Sequence, residues 1–62
     1  MPIIQVNMLK GRPIELKRKY ATELTKTTCE CLDVKPETVR VIFNEMEYEN
    51  FSIAGTLAAD KK

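Results

Sequence analysis

The chain has no histidine and only two cysteines among its 62 residues. Without histidine, the side chain that ordinarily titrates between pH 5 and 8 is missing, so proton-transfer chemistry near neutral pH needs another group. Without a second cysteine pair, the four N/S ligands of a zinc site cannot be assembled within one chain. Cys29 and Cys31 lie two apart on what the pattern below makes a helix. Their side chains therefore point to nearly opposite sides, and a mutual disulfide is geometrically poor. The spacing is not a CxxC motif either, so a thiol redox role is the weakest reading and two small, buried or half-buried thiols the plain one. No stretch approaches the roughly 20 apolar residues of a membrane span, and the first residues lack a basic segment followed by a long apolar run. The chain reads as soluble and cytoplasmic, with no membrane partner. A dominant charge is absent too. Ten basic and nine acidic side chains leave a net charge of +1, which argues against nucleic acid as a partner and makes any cationic site local. Length is the last shortage, since residues 1–62 make one small domain with no room for a second. A chain this short buries only about 60% of the surface its unfolded form exposes, so association is the default expectation.

What is present is a clear alternation of periods. Residues 3–9 place Ile4, Val6 and Met8 on one face and Ile3, Gln5, Asn7 and Leu9 on the other, as a strand does. Lys10-Gly11-Arg12 breaks that pattern, and Pro13 suits the first turn of a helix. Across 14–32, Leu16, Tyr20, Ala21, Leu24, Thr28, Cys31 and Leu32 recur at helical spacing, with charged residues between them. Pro36 cannot continue the helix, so the pattern ends it within 33–37. A second strand is expected over 38–45, with Val39, Val41 and Phe43 on one face and Arg40, Ile42 and Asn44 on the other. Strand, helix and strand make a right-handed βαβ unit with parallel strands. Its single helix covers one sheet face, and the other, carrying Ile3, Leu9 and Ile42, needs cover from another subunit. Residues 51–57 read as a hairpin around a small-residue turn, and 58–62 as a frayed tail. The fold class is α+β: a parallel βαβ unit plus a short C-terminal hairpin.

Four residues stand out for chemistry. Pro2 directly follows Met1, so methionine removal would leave a secondary amine as the first group. An ordinary α-amino group has a reference pKa of about 7.7–8.0. A secondary alkyl amine is more basic, but an apolar pocket and neighbouring arginines both disfavour its ammonium form. A base poised near neutral pH is what proton abstraction beside a carbonyl requires. With Met1 attached, the same nitrogen is a resonance-stabilised amide and no base at all. Arg12, after Gly11 at a strand-to-helix turn, offers planar, bidentate recognition of a carboxylate, and also reads as a solvated loop arginine. Arg40 interrupts an apolar strand, which fits either a site or a structural ion pair. Phe51 taken alone reads as core.

The joint pattern is more specific than its parts. Pro2-Ile3-Ile4-Gln5-Val6, then Leu9-Lys10-Gly11-Arg12, then Val39-Arg40-Val41-Ile42 through Glu45-Met46, and finally Phe51, resembles the 4-oxalocrotonate tautomerase family over nearly the whole chain. The resemblance implies that Pro2, freed of Met1, shuttles a proton between carbons of an unsaturated 2-hydroxy or 2-oxo acid. It implies that Arg12 binds the distal carboxylate, that Arg40 polarises the 2-oxygen and holds the near carboxylate, and that Phe51 walls the pocket. Leu9 is counted among the substrate-binding residues on the same basis. No metal or organic cofactor is needed for such chemistry. The family likeness also implies self-association, as a homohexamer built as a trimer of dimers with each site completed by neighbouring subunits. Ile53 stands where hydratase-like dehalogenases of the superfamily carry a water-activating glutamate, which disfavours haloacrylate hydration. The alternative from another class is a non-catalytic, oligomeric carboxylate-binding module that keeps Met1.

Overall fold

The computed structural model describes residues 1–61. Strand β1 spans Ile3–Leu9, helix α1 Ile14–Leu32 and strand β2 Arg40–Met46. The two strands are parallel and in register from Ile3 opposite Arg40 to Leu9 opposite Met46. The expected βαβ unit is therefore present. Strands β3, Ser52–Ile53, and β4, Thr56–Leu57, form the C-terminal antiparallel hairpin. Its turn residues Ala54 and Gly55 both have positive φ, 53° and 85°, the pairing that a two-residue hairpin turn of matching twist requires.

Helix α1 starts at Pro13, whose extended backbone precedes the first turn and whose carbonyl accepts the Leu16 N–H at 3.1 Å. Its end lies ahead of Pro36. Asp33 adopts a left-handed conformation (φ 55°) and donates its N–H to the Cys29 carbonyl at 3.0 Å, a turn that closes the helix by itself. The second strand begins later than the alternation suggested. Pro36–Thr38 wind a 3₁₀ turn, closed by Val39 N–H to the Pro36 carbonyl at 3.1 Å and by the Thr38 hydroxyl to the Lys35 carbonyl at 2.7 Å. Thr38 and Val39 thus lie before β2, and Met46 extends it. Of the tail expected to fray, the described part is tied in, and Lys62 lies outside the described residues. Ala58–Asp60 form a 3₁₀ turn, and the Ala58 N–H donates to the Phe51 carbonyl at 2.7 Å.

The apolar layer lies between the sheet and α1. Ile4, Val6 and Met8 of β1 and Val41 and Phe43 of β2 are half-buried on the inner face, as the period-2 pattern required. The helix presents a different stripe from the expected one. Lys17, Ala21, Leu24, Thr25, Thr28 and Cys29 are half-buried, whereas Leu16, Tyr20, Cys31 and Leu32 remain exposed. At 100° per residue the expected stripe is wider than a two-stranded sheet can cover. Lys17 enters the covered side because its ammonium meets Glu45 of β2 at 2.9 Å, while its alkyl stem lies along the layer. Tyr20 still leans on Phe43, ring centroids 6.1 Å apart.

No described residue is fully buried. The Cα radius of gyration is 14.8 Å, against about 11 Å for a compact domain of this length. The chain is a slab of 43 × 23 × 13 Å, with Ile3 58% and Ile42 49% exposed on the outer sheet face. One helix on one face leaves the other as apolar surface that a second chain would cover.

Candidate active site

The parallel register brings the first two candidates together. Because Ile3 lies opposite Arg40, the Arg40 N–H donates to the Pro2 carbonyl at 3.0 Å, the first rung of the sheet. Pro2 is half-buried there, and with Met1 in place its nitrogen is an amide. The Arg40 side chain turns back over the 3₁₀ turn, and Nη1 donates to the Glu37 carbonyl at 2.7 Å. That bond uses one of five guanidinium donors, so the group is aimed and still largely free. Among the described residues Arg40 has no carboxylate partner.

The other candidates gather at the opposite end of the sheet. Leu9 is half-buried as the last residue of β1, and the chain then turns through Lys10, Gly11 and Arg12. Gly11 has φ 125°, a conformation that side chains rarely adopt. Arg12 is exposed, and among the described residues its side chain hydrogen-bonds from Nη1 to the Leu9 carbonyl at a long 3.4 Å. It too lacks a carboxylate partner among the described residues. Phe51 follows a 3₁₀ turn at Tyr48–Asn50 and is 37% exposed. It comes after the end of β2 that pairs with Leu9.

Three residues that the sequence did not single out organise this end. The Lys10 ammonium pairs with Glu47 at 2.6 Å, and its hydrogen bond to that carboxylate, together with the carboxylate's charge, raises the Lys10 pKa above its usual value. The Tyr48 hydroxyl donates to the Lys10 carbonyl at 3.2 Å. Tyr48 is 38 positions from Lys10, and a lone tyrosine between acidic residues in a linker gives no periodic signal. Beside Arg12, a cleft of about 370 Å³ opens between β1 and the first turns of α1, with Val6, Met8, Leu16 and Tyr20 as apolar walls and Lys17 at the edge.

The five sequence candidates thus fall into two groups, Pro2 with Arg40 and Leu9 with Arg12 and Phe51. Seven strand steps separate the groups, about 23 Å at 3.3 Å per residue, too far for one small molecule to touch both within one chain. Each end thus carries one arginine without a carboxylate partner among the described residues, Arg40 at one and Arg12 at the other. No group of three or more His, Cys, Asp or Glu side chains with metal-holding geometry occurs among the described residues. No helix among them is long and apolar enough to cross a membrane.

Comparison with known proteins matches this arrangement to one family. Residues 2–61 match the tautomerase family model, described as "Tautomerase enzyme". The 2-hydroxymuconate tautomerase of Pseudomonas putida is 39% identical over 59 residues, which cover 95% of this chain and 94% of that one. A structure of the 4-oxalocrotonate tautomerase isozymes from Methylibium petroleiphilum is 46% identical, with a TM-score of 0.90 over 94% of this chain and 91% of its own. The heterohexamer 4-oxalocrotonate tautomerase from Chloroflexus aurantiacus is 27% identical, with a TM-score of 0.92 over 100% of both chains. That homologue is oligomeric. A family match over residues 2–61 and this identity along nearly the full length of a short relative go beyond likeness of fold: the chain belongs to the tautomerase family of isomerases, alongside the 4-oxalocrotonate tautomerase homologues.

Proposed function

We propose that the chain is a cofactor-independent tautomerase that moves a proton between carbons of an unsaturated 2-hydroxy or 2-oxo acid or diacid, with Pro2 as the general base once Met1 is removed. The observation that carries this reading is the rung at the head of the sheet, where Arg40 N–H donates to the Pro2 carbonyl at 3.0 Å. It supports the reading by setting Pro2 and Arg40 on neighbouring strands at the same end of the sheet. The neutral amine takes a proton from one end of the conjugated system and returns it at another. Between those steps the negative charge collects on the 2-oxygen, where Arg40 meets it. A preorganised donor at a developing oxyanion contributes about 3–4 kcal/mol to the transition state. Arg12 holds the far carboxylate and positions the substrate, while Leu9 and Phe51 keep the pocket apolar. The chemistry asks for no metal or organic cofactor.

The gap of about 23 Å between the two half-sites supports a shared site. A second copy laid antiparallel along a sheet edge brings the Pro2–Arg40 end of one chain to the Leu9–Arg12–Phe51 end of the other. Two-fold pairing makes both ends of the dimer equivalent. The exposed outer sheet face then calls for further copies, for which a homohexamer built as a trimer of dimers is the proposed assembly. The test is to follow ketonisation of an unsaturated 2-hydroxy diacid by ultraviolet absorbance, with protein shown by intact mass to lack Met1. Turnover well above the buffer rate is expected, and its absence across a series of such acids overturns the proposal.

A further inference from the structure

The sequence Lys10-Gly11-Arg12 leaves Arg12 poorly held by its own contacts among the described residues, where its side chain makes one hydrogen bond, 3.4 Å long. The two residues before it are held far better. The Lys10 N–H donates to the Met46 carbonyl at 3.0 Å, the Lys10 carbonyl accepts from the Tyr48 hydroxyl at 3.2 Å, and the Lys10 ammonium meets Glu47 at 2.6 Å. Gly11 lies directly beneath the Tyr48 hydroxyl, which would stand 3.4 Å from a Cβ at that position. All these contacts come from residues 46–48, the segment that leaves β2 and leads through the 3₁₀ turn Tyr48–Asn50 to Phe51.

We infer that Tyr48 is a positioning residue for Arg12: its hydroxyl latches the strand-to-helix turn to the segment that carries Phe51, and so fixes the direction in which the Arg12 guanidinium projects. The consequence is specificity for substrates with a second carboxylate. A turn already fixed by Tyr48 has less backbone freedom left to lose when the guanidinium engages a carboxylate. The Lys10–Glu47 pair serves the same end by another route. It occupies Glu47, an acidic group next to the latch, and leaves the Arg12 guanidinium as the cation offered to an incoming carboxylate. The ion pair is half-exposed and weakened by salt, whereas the tyrosine latch is neutral and insensitive to it.

This inference rests on Arg12 holding the distal carboxylate, and the experiment separates the two ideas. In assembled protein lacking Met1, Tyr48→Phe keeps the ring and removes the hydroxyl. KM for an unsaturated 2-oxo diacid is expected to rise about three- to tenfold, the range that one net hydrogen bond commands. At the same time kcat stays unchanged, KM for the analogue lacking the distal carboxylate stays unchanged, and amide hydrogen exchange at Gly11 and Arg12 accelerates. In an Arg12→Ala background Tyr48→Phe has no further effect on KM, because the group it aims is gone. An equal rise for diacid and monoacid, or no rise at all, overturns the latch while Arg12→Ala still discriminates between the two acids. If Arg12→Ala itself affects both acids alike, the assigned role of Arg12 fails, and amide exchange at Gly11 decides the latch independently: unchanged exchange in Tyr48→Phe overturns it.

Discussion

Replacing Arg40 by alanine removes two interactions that can be measured separately. The first is the hydrogen bond from Nη1 to the Glu37 carbonyl at 2.7 Å, which closes the turn leading into β2. Its loss from an exposed site costs about 1 kcal/mol of stability, a shift of a few degrees in melting temperature. The backbone rung to Pro2 survives, because alanine keeps its N–H. The second interaction is proposed to act only while charge sits on the 2-oxygen, and its loss should lower kcat by about 10²–10³-fold with a smaller change in KM. Arg40→Lys should fall between wild type and alanine, since an ammonium carries the charge without the planar fork that can bond the turn and the oxyanion together. The assay is steady-state ultraviolet kinetics on mass-verified protein at a temperature where both variants are folded and assembled. A kcat within threefold of wild type for Arg40→Ala, or a loss confined to KM, would refute the oxyanion role.

Two further predictions concern the fold. Ile42→Asp puts a charge on the outer sheet face, where Ile42 is 49% exposed in the single chain; an unpaired charge buried at an interface costs about 3–5 kcal/mol, so sedimentation should show dissociation at micromolar concentration, and an unchanged oligomer would mean that this face is not an interface. Ala54→Gly relieves a side chain held at φ 53°; set against the added freedom of the unfolded chain, the net gain should be about 0.5–1 kcal/mol in denaturant unfolding, and a loss of stability would contradict the strain.

The sequence was most legible where one periodic pattern has one physical cause. The alternation of Ile4, Val6 and Met8 gave β1 its boundaries and its inner face, because a slip by one residue would put all three in water. The helix limits were legible from Pro13 and from the run up to Leu32, although Asp33, and not Pro36, closes the helix. The buried stripe of α1 was misjudged at Leu16, Tyr20, Cys31 and Leu32, because apolar residues mark every surface that will be covered, including one left for another chain, and the pattern does not say by which chain. Thr38 and Val39 alternate like a strand, but Pro36 starts a turn whose local hydrogen bonds outcompete the ladder. At the site, Pro2, Leu9, Arg12, Arg40 and Phe51 were legible through their joint spacing, by resemblance. That they divide between two ends of the sheet follows only once the strands are known to run parallel from Ile3–Arg40 to Leu9–Met46. Tyr48 was illegible because its partner lies 38 positions away, and no local period links them.

The central claim is that the nitrogen of Pro2 is the base, and the retained methionine is its sharpest probe. Met1 turns that nitrogen into an amide with no available lone pair, while both arginines and Phe51 stay in place. Two preparations, sorted by intact mass into protein with and without Met1 and matched in oligomeric state, should be compared for turnover of the same 2-hydroxy diacid. Rapid tautomerisation is expected without Met1, and a rate near the buffer background with it. Equal rates in the two preparations would contradict it, and the proton would have to move through some group other than Pro2.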